Sequence, residues 1–268
     1  RAAAKVDLPA GVKARKVARV AVIGAGTMGG GIAMCFANAG IPVRLIELSA
    51  EALARGRDAI AKNYRSSVSR GSLAQEEMDR RLALIEGATD MGAVADGDLV
   101  IEAVFEDMEV KRKLFTDLDR LAKPGAVLAT NTSYLDVNAI AAVTARPQDV
   151  VGLHFFSPAN VMRLVEVVRA EKTAPDALAT AVSVARTIGK APVVVGVCHG
   201  FVGNRMLRLR AVEAERLLLE GATPQDVDGA LTDFGFAMGP FAVSDLAGLD
   251  IAWRMRKAQG LRAEIADQ

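Results

Sequence analysis

The chain contains only two histidines, His154 and His199, which limits where a histidine could accept a proton. His154 lies at the end of an apolar run, and Glu166 follows twelve residues later inside a second apolar run. A carboxylate buried in an apolar strand is unfavourable unless it is paired. Glu166 would orient the imidazole of His154 and stabilise its protonated form, which suits a general base. In the alternative interpretation, His154 is a hydrogen-bonded core histidine and Glu166 faces water.

Two further groups of polar residues could bind a reacting carbonyl or hydroxyl. The segment 130–133, which ends at Ser133, follows a predicted strand end and offers hydroxyls and an amide. Such residues also cap helices, and the next helix is predicted to begin near Asp136. Asn204 lies early in a long predicted helix, where an isolated asparagine is most often solvated.

A glycine-rich loop, Gly24-Ala25-Gly26-Thr27-Met28-Gly29, lies between a predicted strand and a predicted helix. This GxGxxG context is typical of a dinucleotide site: Gly24 allows the turn, Gly26 lets a pyrophosphate approach and Gly29 allows close helix packing. Free N–H groups at the helix N-terminus would attract the phosphates. Glu47 ends the second predicted strand, where it would bind a ribose 2′-hydroxyl, so NAD is favoured over NADP. The alternatives are a turn without a ligand and a Glu47 that is only a surface carboxylate.

Apolar runs alternate with amphipathic runs through the first 198 residues, which predicts an α/β fold with a Rossmann-like doubly wound sheet. The predicted strands are 18–23, 43–46, 99–104, 126–130, 150–154, 164–168 and 192–197. The predicted helices are 30–39, 50–69, 74–84, 110–121, 175–188 and 201–220, with another starting at Thr223-Pro224. We therefore predict a linker at 1–16, a dinucleotide-binding domain at 17–198 and a smaller all-α domain at 199–268.

Composition excludes several other classes of protein. With 51% hydrophobic and 24% charged residues, the chain of 268 residues is globular and not disordered. Lys plus Arg number 33 against 32 Asp plus Glu, which argues against a broad nucleic-acid-binding surface. The 24 uncharged residues from Val20 to Val43 are long enough to cross a bilayer, but their six glycines favour the phosphate loop instead. Cys35 and Cys198 form neither a disulfide framework nor a metal-binding pattern.

Taken together, the motifs resemble the L-3-hydroxyacyl-CoA dehydrogenase family. The resembling segments are Val20–Ala33, Glu102–Glu106, Asn131–Ser133, His154–Pro158, Met162–Glu166, Gly200–Arg205 and Met238–Phe241. They span nearly the whole chain from about Val17, and the run around His154 and Glu166 is the most specific. The resemblance is strongest to the dehydrogenase part of multifunctional fatty-acid β-oxidation enzymes, in which an enoyl-CoA hydratase domain precedes the linker. It implies NAD-dependent oxidation of (S)-3-hydroxyacyl-CoA to 3-ketoacyl-CoA.

The resemblance also implies roles in catalysis and substrate binding. His154 would be the general base for the 3-hydroxyl, and Glu166 would orient it. Ser133 and Asn204 would hydrogen-bond to the reacting oxygen or the thioester. Basic residues on the predicted 50–70 helix would reach the CoA phosphates, with Lys62, Arg65 and Arg70 as the candidates. Alternatively, this charged helix face is only solvated.

The cofactor site that the resemblance implies comprises Gly24, Gly26, Thr27, Met28, Gly29, Glu47, Val104, Phe105, Glu106, Lys111 and Ser133. Met28 and Glu47 would contact the adenosine half of NAD. In the alternative interpretation, Val104 and Phe105 are core residues and Lys111 is a solvated helix lysine. The family commonly has Asp at the position of Glu47, and both residues can make the same hydrogen bonds to the ribose.

Two competing functions stay open at this point. One is an NAD-binding module without turnover, as in the lens crystallin relatives of the family. Family members continue well past the position of Asp250, so we expect the helical domain here to be incomplete, which favours this alternative, whereas the intact set of His154, Glu166, Ser133 and Asn204 argues against it. The other is a dehydrogenase for a free β-hydroxyacid, for which the resemblance leads us to expect a catalytic Lys in the second domain. The predicted helix at 201–220 contains Arg but no Lys.

The expected partners are an acyl-CoA substrate, an upstream enoyl-CoA hydratase domain and, as a candidate assembly, a homodimer. Neither nucleic acid nor a membrane span is expected, and no metal ion. The resemblance implies a cytoplasmic location in a bacterium and a peroxisomal or mitochondrial one in a eukaryote.

Overall fold

The computed structural model describes residues 11–247 together with residues 249, 253, 257 and 260. The chain forms two compact units, Arg1–Phe201 and Val202–Gln268. Residues 1–10 of the predicted linker lie outside the described residues, as does Asp250. The end of the predicted linker is fixed to the first unit, because the guanidinium of Arg15 lies 2.7 Å from Asp149 and 2.9 Å from Asp176.

The first unit is built on an eight-stranded sheet with the order β3-β2-β1-β4-β5-β6-β7-β8. The strands are β1 (Val20–Ile23), β2 (Val43–Ile46), β3 (Ile85–Ala88), β4 (Leu99–Glu102), β5 (Val127–Thr130), β6 (Val150–Phe155), β7 (Leu164–Arg169) and β8 (Ala191–Gly196). Strands β1 to β6 are parallel, whereas β7 runs antiparallel to β6, and β8 runs parallel to β7. The loops that follow β1, β4, β5 and β6 therefore leave the same edge of the sheet.

Helices cover both faces of this sheet, which confirms the predicted doubly wound α/β class. They are α1 (Thr27–Asn38), α2 (Ala50–Ser69), α3 (Gln75–Ala83), α4 (Met108–Leu121), α5 (Val137–Ala141) and α6 (Pro175–Thr187). The alternation of strand residues divides the core in two. Val20 and Val22 pack with residues of α1, α2 and α6, whereas Ala21 and Ile23 pack with residues of α4 and α5.

Three parts of the fold differ from the predictions. Strand β3 is missing from them because this edge strand is short and has a single fully buried residue, Ile85. Helix α1 begins at Thr27 and not at residue 30, so the last residues of the glycine loop are already helical. Strand β4 ends at Glu102 and not at residue 104, because the backbone beyond it turns to bind the Glu102 carboxylate.

The uncharged stretch at 20–43 is divided between β1, the glycine loop and α1. Within the described residues, no helix combines the length and the hydropathy that a membrane span requires.

The described part of the second unit is helical, with α7 (Gly203–Leu219), α8 (Pro224–Phe234) and α9 (Pro240–Ala247). Helix α8 starts as predicted, since Thr223 is its N-cap and forms a reciprocal capping box with Asp226. It ends at Gly235, whose φ of 112° is left-handed. The Asp228 carboxylate accepts hydrogen bonds from the N–H groups of Phe241 and Ala242 and so ties α8 to the first turn of α9.

Candidate active site

The three motif glycines of the loop after β1 have different steric surroundings. Gly24 has a φ of 95°, and a Cβ there would lie 2.6 Å from the carbonyl oxygen of Ala103. A Cβ on Gly29 would lie 1.8 Å from the carbonyl oxygen of Gly24. By contrast, a Cβ on Gly26 would have no neighbour within 4 Å. Gly24 and Gly29 therefore shape the loop, whereas Gly26 leaves an open face for a ligand.

The N-terminus of α1 presents the features of an anion site. Gly26 is its N-cap and offers no side chain to bind the first N–H groups, and the first turn holds no acidic residue. Gly26 and Thr27 are exposed, whereas Met28 is half-buried against the core. The open face and the uncapped helix end fit the pyrophosphate of a dinucleotide.

Glu47 follows β2 and reaches the same loop. Its carboxylate accepts hydrogen bonds from the N–H of Ala25 at 2.6 Å and from that of Leu48 at 3.1 Å. The side chain is half-buried and bound to the glycine loop, so it is not merely a surface carboxylate. This position beside the loop suits a contact with the adenosine ribose.

His154 and Glu166 form the pair that the sequence predicts. They lie directly opposite each other in the antiparallel register of β6 and β7. The His154 Nδ1 atom is 2.8 Å from Glu166 Oε2. Relative exposure is 3% for His154 and 1% for Glu166, so the alternative of a Glu166 that faces water is wrong. An ionised Glu166 accepts from Nδ1–H, which leaves Nε2 with the free lone pair of a base.

The segment that carries Ser133 is held by Glu106. Its carboxylate oxygen accepts from the hydroxyl of Thr132 at 2.6 Å and from the N–H groups of Ser133 at 2.8 Å and Tyr134 at 3.1 Å. Burial and the negative charge of Glu106 raise the pKa of the Tyr134 hydroxyl. Glu106 thus joins the loop after β4 to the loop after β5.

Asn131 also holds the loop after β5 in place. Its side-chain oxygen accepts a hydrogen bond from the N–H of Phe155 at 2.9 Å. The loop after β5 is thereby attached to the strand end that carries His154. Helix α5 begins at Val137, close to the predicted start, and its N-cap is Asp136, so the alternative that a residue of the 130–133 segment caps it is wrong. Asn131 and Thr132 therefore act in loop structure, and Ser133 stays the candidate ligand.

Lys111 is buried, so the alternative of a solvated lysine is wrong. It is 1% exposed, and its Nζ lies 2.5 Å from Glu102 and 3.3 Å from Glu106. Glu102, which our sequence reasoning did not identify as functional, also accepts from the N–H of Val104 and the hydroxyl of Thr130. The sequence does contain a signal that Lys111 is buried, because it lies four and seven residues before the apolar residues at 115 and 118 and so shares their face of α4.

Val104 and Phe105 differ from each other. Val104 is half-buried and packs against the core, whereas the side chain of Phe105 is 79% exposed, so the core interpretation of Phe105 is wrong. An exposed aromatic ring beside the carboxyl edge of the sheet is available to a bound ligand.

A cleft of about 630 Å³ opens between α1, α2 and the loop after β6. Arg70 and Arg81 line it, whereas Lys62 and Arg65 are not among its lining residues. The reason is helical spacing. The residues of α2 that line the cleft, and Arg70 directly after the helix, are spaced three or four positions apart and so lie on one face. Lys62 and Arg65 fall between these positions. Burial raises the pKa of Tyr64, another lining residue, to about 12.

Asn204 lies in the first turn of α7, in the second unit, and is half-buried. The other predicted site residues with described positions belong to the first unit.

The doubly wound sheet, its glycine-rich phosphate loop and the polar residues at the carboxyl ends of its strands define a dinucleotide-binding protein of the dehydrogenase type. The chain belongs to the 3-hydroxyacyl-CoA dehydrogenase family. Residues 19–198 match the NAD binding domain of 3-hydroxyacyl-CoA dehydrogenase, and residues 200–268 match its C-terminal domain.

Relatives and solved structures agree with this assignment. The chain is 47% identical to the peroxisomal bifunctional enzyme of Cavia porcellus over 97% of its own length, but spans only 36% of that relative. The 3-hydroxybutyryl-CoA dehydrogenase of Escherichia coli K12 has a TM-score of 0.84 and 45% identity, with 88% of this chain and 51% of that one covered. The dehydrogenase part of multifunctional enzyme 1 from C. elegans has a TM-score of 0.74 and 33% identity, with 98% and 62% covered.

Proposed function

We propose that the chain catalyses the NAD-dependent oxidation of (S)-3-hydroxyacyl-CoA to 3-ketoacyl-CoA in fatty-acid β-oxidation. The observation that carries this proposal is the buried pair of His154 and Glu166 at the same sheet edge as the glycine loop. Alcohol oxidation requires a base for the hydroxyl proton next to a hydride acceptor. When bound, NAD supplies the hydride acceptor.

The residues of the chain would accept the proton, bind the substrate and bind the pyrophosphate. His154 Nε2 would take the proton of the 3-hydroxyl, and the ionised Glu166 would stabilise the imidazolium that results. Ser133 and Asn204 would hydrogen-bond to the reacting oxygen or the thioester. The backbone at Gly26 and Thr27 would bind the pyrophosphate.

The rest of the cofactor site falls into two groups. Met28 and Glu47 would contact the adenosine half, and the exposed Phe105 ring would contact the bound dinucleotide with Val104. Lys111 and Glu106 would act mainly through the loops that they hold together.

We place the CoA moiety in the cleft beside α2. Arg70 lines the cleft and is exposed, and the second lining arginine, Arg81 of α3, forms an ion pair with Glu77 at 2.7 Å. Two guanidinium groups at one cleft suit the phosphates of CoA. A variant Arg70→Glu should raise the KM for acetoacetyl-CoA and leave the Kd for NADH unchanged.

The test of the activity is NADH consumption with acetoacetyl-CoA. The wild type should turn over, and His154→Ala should lose about 10²- to 10⁴-fold in kcat with NADH binding retained. His199→Ala is the matched control, because it removes the other histidine of the chain and should keep kcat within about threefold. Near-full activity of His154→Ala would contradict the mechanism. NADH binding without turnover by the wild type would favour the binding-module alternative.

The free-acid alternative is tested in the same assay with acetoacetate in place of its CoA ester. A lower KM for the free acid would overturn the proposed substrate class.

For the whole protein, we propose an enoyl-CoA hydratase domain upstream of this chain. The support is that the chain spans 36% and 37% of the first two bifunctional relatives. We also propose a homodimer, and a location in the cytoplasm of a bacterium or the peroxisome of a eukaryote. Mass spectrometry of the native protein, light scattering and cell fractionation test these points in turn.

A further inference from the structure

We propose that Phe201 is a positioning residue that holds the imidazole of His154 in place. Its ring is fully buried, and its centroid lies 5.6 Å from that of the imidazole at an interplanar angle of 54°. Phe156, in the loop after β6, makes the closer contact at 4.5 Å and 50°. The inference about turnover rests on the proposed function, whereas the inference about ring position does not.

The backbone at Phe201 is unusual. Its φ is 47°, and among the described residues it is the one residue other than glycine with a positive φ. This region is unfavourable for a bulky side chain and persists only where surrounding contacts enforce it. Here the N–H of Phe201 donates to the carbonyl of Cys198 at 3.1 Å, and the Cys198 thiol donates to the carbonyl of Phe201 at 3.3 Å.

A turn that only had to redirect the chain would be satisfied by glycine, and Gly200 beside it already has a φ of 70°. The backbone of Phe201 therefore adopts its unfavourable φ in order to place the phenyl ring. It packs in the core cluster formed by α4, α5 and one face of the sheet, and it reaches the imidazole from there. The burial of the ring offsets the unfavourable φ.

The imidazole needs this contact because one hydrogen bond does not fix its orientation. The bond between Nδ1 and Glu166 holds one ring atom, and small coupled rotations about the Cα–Cβ and Cβ–Cγ bonds can still tilt the ring without breaking it. Phe156 and Phe201 contact the ring from two separate segments of the chain and restrict this tilt, which determines where Nε2 points. A base that is misplaced by about 1 Å can lose about 10²-fold in rate.

The experiment compares two variants with a control. Phe201→Gly removes the ring and suits the positive φ, so the turn is preserved; Phe201→Leu keeps apolar volume if the glycine variant does not fold. Phe115→Ala is the control, because Phe115 is an equally buried ring of the same core cluster, on α4. We expect the Phe201 variants to lose about 10- to 100-fold in kcat. Their KM for acetoacetyl-CoA and Kd for NADH should stay within about threefold.

Nitrogen-15 NMR of the imidazoles gives a second readout that is independent of turnover. With only two histidines in the chain, His199→Gln assigns the His154 signals directly. The Phe201 variants should broaden these signals, because the imidazole then exchanges between several orientations, and Phe115→Ala should not; a shift without broadening reports only the lost ring current of Phe201.

An unchanged kcat in a folded Phe201 variant whose His154 signals do not broaden overturns the proposal. The same kcat loss in Phe115→Ala also overturns it, because general loosening of the core would then explain the effect. A wild type without turnover refutes the proposed function but leaves the NMR comparison to decide the position of the imidazole.

Discussion

Replacement of Glu166 by glutamine tests the proposed mechanism most directly. The substitution keeps the size and shape of the side chain and removes its negative charge. Glu166 Oε2 lies 2.8 Å from His154 Nδ1, and both side chains are nearly inaccessible to solvent. Water therefore cannot replace the lost charge, and a glutamine oxygen can still accept from Nδ1–H.

The magnitude follows from the change in the hydrogen bond. A hydrogen bond to a charged group stabilises by about 1.5–3 kcal/mol. The full interaction is made only when His154 carries the proton, which is the state that the general base reaches during the reaction. At about 1.4 kcal/mol for each factor of ten, Glu166→Gln should lower kcat by about 10- to 150-fold.

The assay is steady-state NADH formation with (S)-3-hydroxybutyryl-CoA, the direction in which His154 gains the proton, together with NADH titration by fluorescence. The KM for (S)-3-hydroxybutyryl-CoA and the Kd for NADH should change little, because the proposed role of Glu166 acts through His154 and not through either ligand. Glu171→Gln is the matched control, since Glu171 is exposed just beyond the end of β7. A Glu166→Gln enzyme with wild-type kcat, or with a loss confined to KM, would refute the assigned role.

Three further predictions concern the surroundings of the site. Gly29→Ala should lower the free energy of unfolding by about 1–3 kcal/mol and weaken NADH binding, because the new Cβ would overlap the Gly24 carbonyl; chemical denaturation and fluorescence titration measure both. Glu106→Gln should lower kcat/KM for acetoacetyl-CoA by about tenfold with a small change in Tm, since a neutral acceptor holds the Ser133 segment less firmly. The hydrogen bond from Arg15 lowers the pKa of Asp176 below 3.8. The ionised Asp176 therefore stabilises the folded protein above about pH 4, and this contribution is lost as the pH falls through the folded-state pKa. Urea unfolding of Asp176→Asn should therefore lose at most about 1 kcal/mol at pH 7 and show a weaker acid dependence.

The glycine loop is predictable from sequence because the spacing of its glycines, between a strand and a helix, is itself the signal. Gly29 is required by the carbonyl of Gly24 in the same loop, which is a short-range contact, whereas Gly24 is required by its φ of 95° and by the carbonyl of Ala103, which only the fold brings close. The pairing of His154 with Glu166 is predictable for a different reason. An acid inside an apolar strand has few acceptable partners, and the chain offers few histidines.

The features that escaped prediction depend on contacts that their own sequence pattern does not show. Glu102 at the end of β4 is in buried contact with Lys111 in the first turn of α4, and the charge of each residue suggests a solvated side chain until both are seen together. Arg81 reaches the cleft from α3, a helix whose position is set by its packing and not by its own pattern. Strand β3 is stabilised by its pairing with β2 and carries little apolar signal of its own.

The antiparallel return of β7 explains why the proton-accepting pair lies at this point of the sheet. A parallel neighbour of β6 requires a crossover connection of a dozen or more residues, usually with a helix. The chain instead turns back through residues 156–163, so that Glu166 near the start of β7 pairs with His154 near the end of β6. Directly opposed residues of an antiparallel pair project on the same face. A shift of the register by one residue would place Val165 or Val167 opposite His154 and turn Glu166 to the other face. The length of this loop therefore sets the pair as firmly as the identities of its two residues do.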